Sequence, residues 1–514
     1  MSKIQEMTEK RQSKISMNPA ETISININES LDFQANAAKN RIWYRGDSLE
    51  LSQLYSHLNN TSTMYNFWSA KCSPGMEMRK IHTGLPGIIV DMLATVVLTD
   101  MNDILFDKKD IQDIWEDIEA ENELKKLLEN ALKEALYIGD GAFKITFDTE
   151  ISKYPIIEYY PGDQVEFISK RGRIREVVFK TTYNHKGQCY ILHETYGYGY
   201  IKNRLTKDGK EVELNSLPET AELSDYHFAN YKEDEQGVVK SSGAYSMAVP
   251  FMIYKSSKYK GRGKSIFDNK VEAFDSFDEA WSQWMDALRA GRTKQYIPEC
   301  LLPRDPNTGM TLSPNAFDNR YIKTNSDVRE GAVNKIDVEQ PAIPHDSYLA
   351  TYVTALDLCL QGLISPSTIG IDVKKLDNAE AQREKEKTTL YTRDAIVDAL
   401  TDGLKALVNS VLNAYADFND LDMEIPEVDI TFGEYANPSF ESQIETIGKG
   451  RTQGIMSIEA CVDELYGDTK DDDWKDEEVA RLKAEQGIAV MDEPGVNEEA
   501  GEFKANGFAG VGNE

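Results

Sequence analysis

Five residues near the middle of the chain, Gly261-Arg262-Gly263-Lys264-Ser265, carry its sharpest chemical signal. They match the end of a phosphate-binding loop, in which glycine-rich backbone amides cradle phosphates and a lysine neutralises them. The full motif needs a glycine where Lys258 stands, and no acidic magnesium-binding strand accompanies it. The other reading is a glycine-loosened approach to a helix, with Lys264 and Ser265 in its first turn. The six histidines, His57, His82, His185, His193, His227 and His345, form no HExxH or HxH pair, so metal-assisted hydrolysis has no support. There is no GxSxG elbow, and Cys72, Cys189, Cys300, Cys359 and Cys461 include no CxxC pair. That scatter fits a reducing compartment better than a disulfide framework or a zinc site. Asp471-Asp472-Asp473 is either a cation site or an exposed helix N-terminus, which favours acids for its own reasons. Nothing reads as a catalytic centre, and no metal or cofactor is expected.

The surrounding elements are more informative. Hydrophobic residues make up 40% of 514 positions, enough for packed cores and too many for wholesale disorder. Lys and Arg number 57 against 87 Asp and Glu, a net charge of −30. Such a surface cannot grip nucleic acid over its whole extent, because phosphate binding is carried by Lys and Arg. It is compatible with DNA sliding past without being held. The opening residues have no apolar stretch of the secretory type, and Gly84 to Leu98 is too short for a bilayer and carries Asp91. A soluble intracellular product with no membrane partner is expected.

Residues 1–40 are polar and read as a mobile arm. From Leu51 to Leu136 the spacing is helical, with Gly139 as a stop. A period of two then begins at Phe143, Ile145 and Phe147. It continues through Val165, Phe167 and Ile174 to Tyr183, punctuated by turns at Lys170 to Gly172, Asn184 to Gly187 and Asp208-Gly209, an antiparallel meander. After Gly263 a helix carries an apolar stripe of Phe274, Phe277, Trp281, Trp284, Met285 and Leu288. Glu272, Asp275, Glu279 and Asp286 line another face, and Gly291 ends it. A strand-and-turn module occupies Lys294 to His345. A second helix runs from Asp346 to Leu363 and breaks at Ser365-Pro366. Asp377 and Glu380 have capping-box spacing and open a long helix to Phe418. A strand at Val428 to Phe432, shorter helices capped at Ser457 and lying between Asp473 and Gln486, and an acidic tail from Gly487 complete the chain. In a monomer the aromatic stripe would be buried against the body; in a ring it would pack on neighbours and turn the acids toward a shared lumen.

In this order of segments the chain resembles the portal proteins of tailed bacteriophages. Gly263-Lys264-Ser265-Ile266-Phe267 before the amphipathic helix Val271 to Leu288 is similar to the family's lead-in to its first stem helix. Ser365-Pro366-Ser367-Thr368-Ile369-Gly370 with Asn378-Ala379-Glu380-Ala381 resembles the link from second stem helix through tunnel loop to long wing helix. Gly454-Ile455-Met456-Ser457-Ile458-Glu459 and Asp471 to Glu485 resemble the end of the wing and the helical crown, and Tyr137 to Gly141 also fits the wing.

The resemblance implies an α+β fold with an α/β wing over 41–262, a first stem helix over 263–293, a β-rich clip over 294–345 and a second stem helix over 346–364. It further implies a tunnel loop at 365–377, a long wing helix and strand over 378–437, a crown over 438–486 and a disordered tail over 487–514. The product would be a non-enzymatic ring, usually of twelve subunits, at one capsid vertex of a virion assembled in the host bacterial cytoplasm. Double-stranded DNA would pass through it. Its partners would be the terminase large subunit, then head-tail connector proteins, and the major capsid or scaffold protein. Ile369, Ile371, Lys374 and Lys375 would form the tunnel loop's collar, Glu272, Asp275, Glu279 and Asp286 would line the channel, and Arg304 and Arg320 would contact partners from the clip. Solvated helix faces explain the same acids on a monomer. Two other functions remain open: a virion or scaffold component without a DNA channel, and a nucleotide-dependent enzyme built on Gly261 to Ser265.

Overall fold

The computed structural model describes residues 31–58, 66–71, 78–228, 245–311, 321–326, 329, 333–371, 379–433, 440–466 and 472–485. Among these residues five helices come first: α1 (Phe33–Arg45), α2 (Ser48–Leu58), α3 (Leu85–Leu98), α4 (Lys109–Glu121) and α5 (Leu124–Ile138). The polar arm expected up to residue 40 is already helix from Phe33, and α1 buries Asn36, Ala37, Asn40 and Trp43. Composition hid this because polar side chains hold α1 in place: Asn36 donates to Asp268 at 2.8 Å, and Arg41 forks onto Asp163 at 2.8 and 2.9 Å. The helical pattern around Ile111 to Leu132 is two helices, broken where Glu123 takes a positive φ of 45°. The apolar segment before Leu98 is α3, a buried helix. Among the described residues no helix is long and apolar enough to cross a membrane.

The strands follow: β1 (Asp140–Thr146), β2 (Ile156–Pro161), β3 (Val165–Lys170), β4 (Arg173–His185), β5 (Gln188–Gly197), β6 (Tyr200–Lys207), β7 (Lys210–Val212), β8 (Tyr226–His227) and β9 (Ala248–Met252). β3 to β7 form the antiparallel meander, with β8 added to β6. Three of its four two-residue turns pair a non-glycine and a glycine at positive φ, Arg171-Gly172, Lys186-Gly187 and Asp208-Gly209, dihedrals that two-residue hairpins favour; in the fourth, Tyr198-Gly199, only the glycine has positive φ. A second sheet, β2-β1-β9, puts β1 in the middle, where it is buried along nearly its whole length.

Beyond the sheets lie α6 (Val271–Ala290), β10 (Lys294–Pro298), β11 (Tyr321–Thr324), β12 (Asp337–Glu339), α7 (His345–Leu360) and α8 (Ala379–Phe418). β10 is the centre of a three-stranded sheet, parallel to β11 and antiparallel to β12. Ile396, Leu400, Leu404, Leu407 and Val411 make a buried stripe along α8, which packs on β9 and α3. The strand expected at Val428 to Phe432 is a single bridge from Phe432 to Met101, flanked by backbone bonds from Asn102 to Thr431 and from Gly433 to Asp100, so the pairing does not reach Val428. Residues up to Gly433 form one compact unit and those from Glu434 a second. The second contains α9 (Phe440–Thr452), α10 (Ile458–Tyr466) and α11 (Asp472–Glu485). Ser457 Oγ caps α10 by accepting the Ala460 N–H at 3.1 Å, and Ile458 and Val462 are buried. Gln486 and the tail from Gly487 lie outside the described residues, as do Asp471 and Asp377.

Candidate functional site

The Gly261 to Ser265 segment is an internal fastening. The Arg262 N–H donates to Tyr259 O, Gly263 N–H to Asp140 Oδ2 at 2.6 Å, Lys264 N–H to Tyr254 O at 2.7 Å and Ser265 N–H to Asp268 Oδ2 at 3.1 Å. A phosphate would have to displace every one of these bonds, so the backbone has no cradle to offer. Arg262 forks onto the fully buried Asp140 at 2.7 and 3.0 Å and also donates to the carbonyls of Gly162 and Val165. A Cβ on Gly263 would stand 2.0 Å from Gly139 O, so only glycine allows the two chain segments to meet. Lys264 and Ser265 do not occupy a first helical turn, since α6 starts at Val271. The segment fixes the start of β1 to the approach of α6.

α6 and α7 are antiparallel neighbours. Lys270, just before α6, donates through Nζ to Leu358 O at 2.8 Å and Gln361 O at 2.7 Å, closing the end of α7. At the other end Trp284 stacks on Tyr348, ring centroids 6.4 Å apart, while Phe277 and Trp281 meet Tyr352 at 5.0 and 5.6 Å. These rings zip the helices together, and the β10–β12 sheet is inserted between their far ends. The stripe is thus covered within one chain at Phe274 and Phe277, whereas Leu288 at its end remains 43% exposed.

The acids divide. Glu272, Ser276, Glu279, Gln283 and Asp286 recur at three- and four-residue steps along one side of α6, exposed or half-buried, with Gln283 donating to Glu279 at 2.8 Å. Asp275 does not belong with them, a correction to the sequence expectation. It is 6% exposed and accepts the Phe67 N–H at 2.7 Å and the Trp68 N–H at 3.2 Å, so residues 66–71 cover it. Burial, against these two bonds, pushes its pKa up to about 6. Sequence reasoning also missed Asp278, which takes four donors: Thr83 N–H and Oγ1–H at 3.0 Å each, Trp68 Nε1–H at 3.1 Å, and His82 Nδ1 at 2.6 Å. Its signal was present, for Asp278 stands four residues after Phe274 and three before Trp281, inside the apolar stripe. A carboxylate there must find internal partners.

Past α7, the Ser365 N–H donates to Thr389 Oγ1 at 2.8 Å and Ile371 N–H returns to Pro366 O at 3.0 Å, a turn closed through Gly370 at φ 71°. Ile369 and Ile371 are half-buried against the main core. Lys374 and Lys375 lie outside the described residues, as does Arg320. Arg304 is exposed on a small turn bridged to Thr311. Its module keeps little apolar surface inside: Met310 is 73% exposed, Val333 74% and Val338 62%. Among the described residues no group of three or more His, Cys, Asp or Glu could hold a metal ion.

A family model described as phage portal protein, SPP1 Gp6-like, matches residues 27–490. Among solved structures, a chain from the virion of a native gene transfer agent particle is 12% identical, with 72% of this chain and 86% of that one covered and a TM-score of 0.38. No curated protein matches the chain.

Proposed function

From the premise that this chain belongs to the SPP1 Gp6-like family of phage portal proteins, we propose that its ring carries double-stranded DNA into and out of the capsid through a central channel. Membership itself makes the protein a structural virion component, assembled as a capsid-associated ring, and not an enzyme. The observation that carries the finer reading is the α6–α7 pair. It is locked internally by Trp281, Trp284, Tyr348 and Tyr352, and it leaves Glu272, Glu279 and Asp286 along one uncovered side. In a ring of about a dozen subunits, the family's usual number, that side lines the lumen. Carboxylates make no phosphate contacts, so the duplex slides. The β10–β12 module, whose apolar side chains are largely exposed, docks the terminase large subunit and later the connector proteins, with Arg304 and Arg320 at the contact. Ile369, Ile371, Lys374 and Lys375 form the collar at the narrowest point. The outer body meets the capsid or scaffold protein.

The test is to assemble particles with Glu272→Lys, Glu279→Lys rings, after mass measurement confirms closed rings. Each lysine adds a phosphate contact, so packaging should slow and depend more steeply on salt. Packaging at the wild-type rate and salt dependence would remove this side from the channel, and a chain monomeric at all concentrations would remove the channel itself.

A further inference from the structure

The hairpin joining β3 to β4 carries Lys170, Arg171, Arg173 and Arg175, four cations within six residues of a chain whose net charge is −30. All four are exposed, and none of these side chains makes a hydrogen bond or ion pair with any described residue. The nearest acids on the two strands are committed elsewhere: Glu166 pairs with Lys180 at 2.8 Å, and Glu176 accepts the Tyr200 hydroxyl at 2.6 Å. Lys170 lies directly opposite Arg173 in the register, a like-charge pair that works against the hairpin. The backbone holds that repulsion in place. Arg171 and Gly172 take φ of 54° and 75°, a tight two-residue turn. Ile168 pairs with Glu176 and Ser169 with Ile174, so Arg175 is the extra residue of a β-bulge. The bulge lets Ile174 pack against the core while the cations on either side of it stay in solvent.

We propose that this tip binds the phosphate backbone of duplex DNA at a place separate from the channel. Three of its cations are arginines, whose planar forks match phosphate oxygens in pairs. A duplex presents a negative charge about every 1.7 Å of axis, so the tip finds phosphates in any rotational setting. A folded acidic protein must instead place carboxylates at fixed matching points. The inference rests on the portal reading for bringing DNA near the protein, but on neither ring closure nor passage through a lumen.

The full chain and its Arg171→Gln, Arg173→Gln, Arg175→Gln variant are titrated with a short duplex over a range of salt, with mass measured in parallel. At about 0.9 per neutralised phosphate, the wild-type plot of log K against log salt should be steeper by roughly 3. The matching triple Arg→Lys variant keeps the charge and should keep most of the slope, which separates lost contacts from lost folding. Equal slopes for wild type and the Gln variant would overturn the proposal. So would polyglutamate binding as tightly as the duplex with the same dependence on the three arginines, because the partner would then be an acidic protein. Tip-dependent DNA binding by a chain that never closes a ring would uphold this inference and remove the ring reading; closed rings with equal slopes would do the reverse.

Discussion

Asp275 offers a direct measure of whether α6 presents three acids or four. Its carboxyl is 6% exposed, and burial lifts its pKa from an ordinary value near 4 to about 6. In the unfolded chain the group loses its proton near pH 4, while the folded protein keeps it until about pH 6. Between those values the native state binds more protons, so this residue's contribution to stability is full below about pH 4 and declines as pH rises through about 6. Two pH units at about 1.4 kcal/mol each make the decline roughly 3 kcal/mol. Asp275→Asn removes it. The amide can accept only one of the Phe67 and Trp68 N–H groups, which adds a penalty that does not vary with pH. Urea unfolding followed by tryptophan fluorescence, with Trp68 beside the site, reads both effects. The wild-type advantage over the variant should shrink by about 3 kcal/mol between about pH 4 and pH 7. Parallel stability curves would mean a solvated carboxylate, and Asp275 would return to the exposed stripe.

Two further outcomes follow from the Gly261 to Ser265 fastening. Gly263→Ala puts a methyl group 2.0 Å from Gly139 O, a backbone atom that cannot swing aside, so it should cost about 3 kcal/mol or more by urea midpoint; a loss under about 0.5 kcal/mol would contradict the packing. Lys264→Ala should leave nucleotide association of the purified protein unchanged at background, since the neighbouring amides are occupied; Lys264-dependent ATP hydrolysis would restore the phosphate-loop reading.

The hairpins were legible because their information is local. Arg171-Gly172, Lys186-Gly187 and Asp208-Gly209 each sit between period-two runs, and the turn geometry needs no distant residue to be specified. The same holds for α6 and α7, whose observed ends fall within a few residues of the glycine at 291 and the proline at 366. The strand expected at Val428 failed for the complementary reason: its composition suits a strand, but its pairing is settled by distant residues and is confined to 431–433 against 100–102, around the one bridge from Phe432 to Met101. Polar residues were harder still. Asn36 in α1 is held by Asp268, 232 residues away, and Asp275 by Phe67, 208 residues away. Asp140 is matched by Arg262 across 122 residues. Nothing within a helical window distinguishes Asp275 from Glu272 or Glu279, because the difference is made by backbone donors arriving from another part of the chain. Period alone therefore overstates the charge a helix can show to solvent. Each acid must first be tested against donors from elsewhere in the chain: among the described residues Glu272, Glu279 and Asp286 have none from outside α6, while Asp275 and Asp278 tie the helix to Phe67, Trp68, His82 and Thr83. One helix thus does two jobs with one residue type: carboxylates anchored inward keep it still, and carboxylates on the other side stay in reach of solvent.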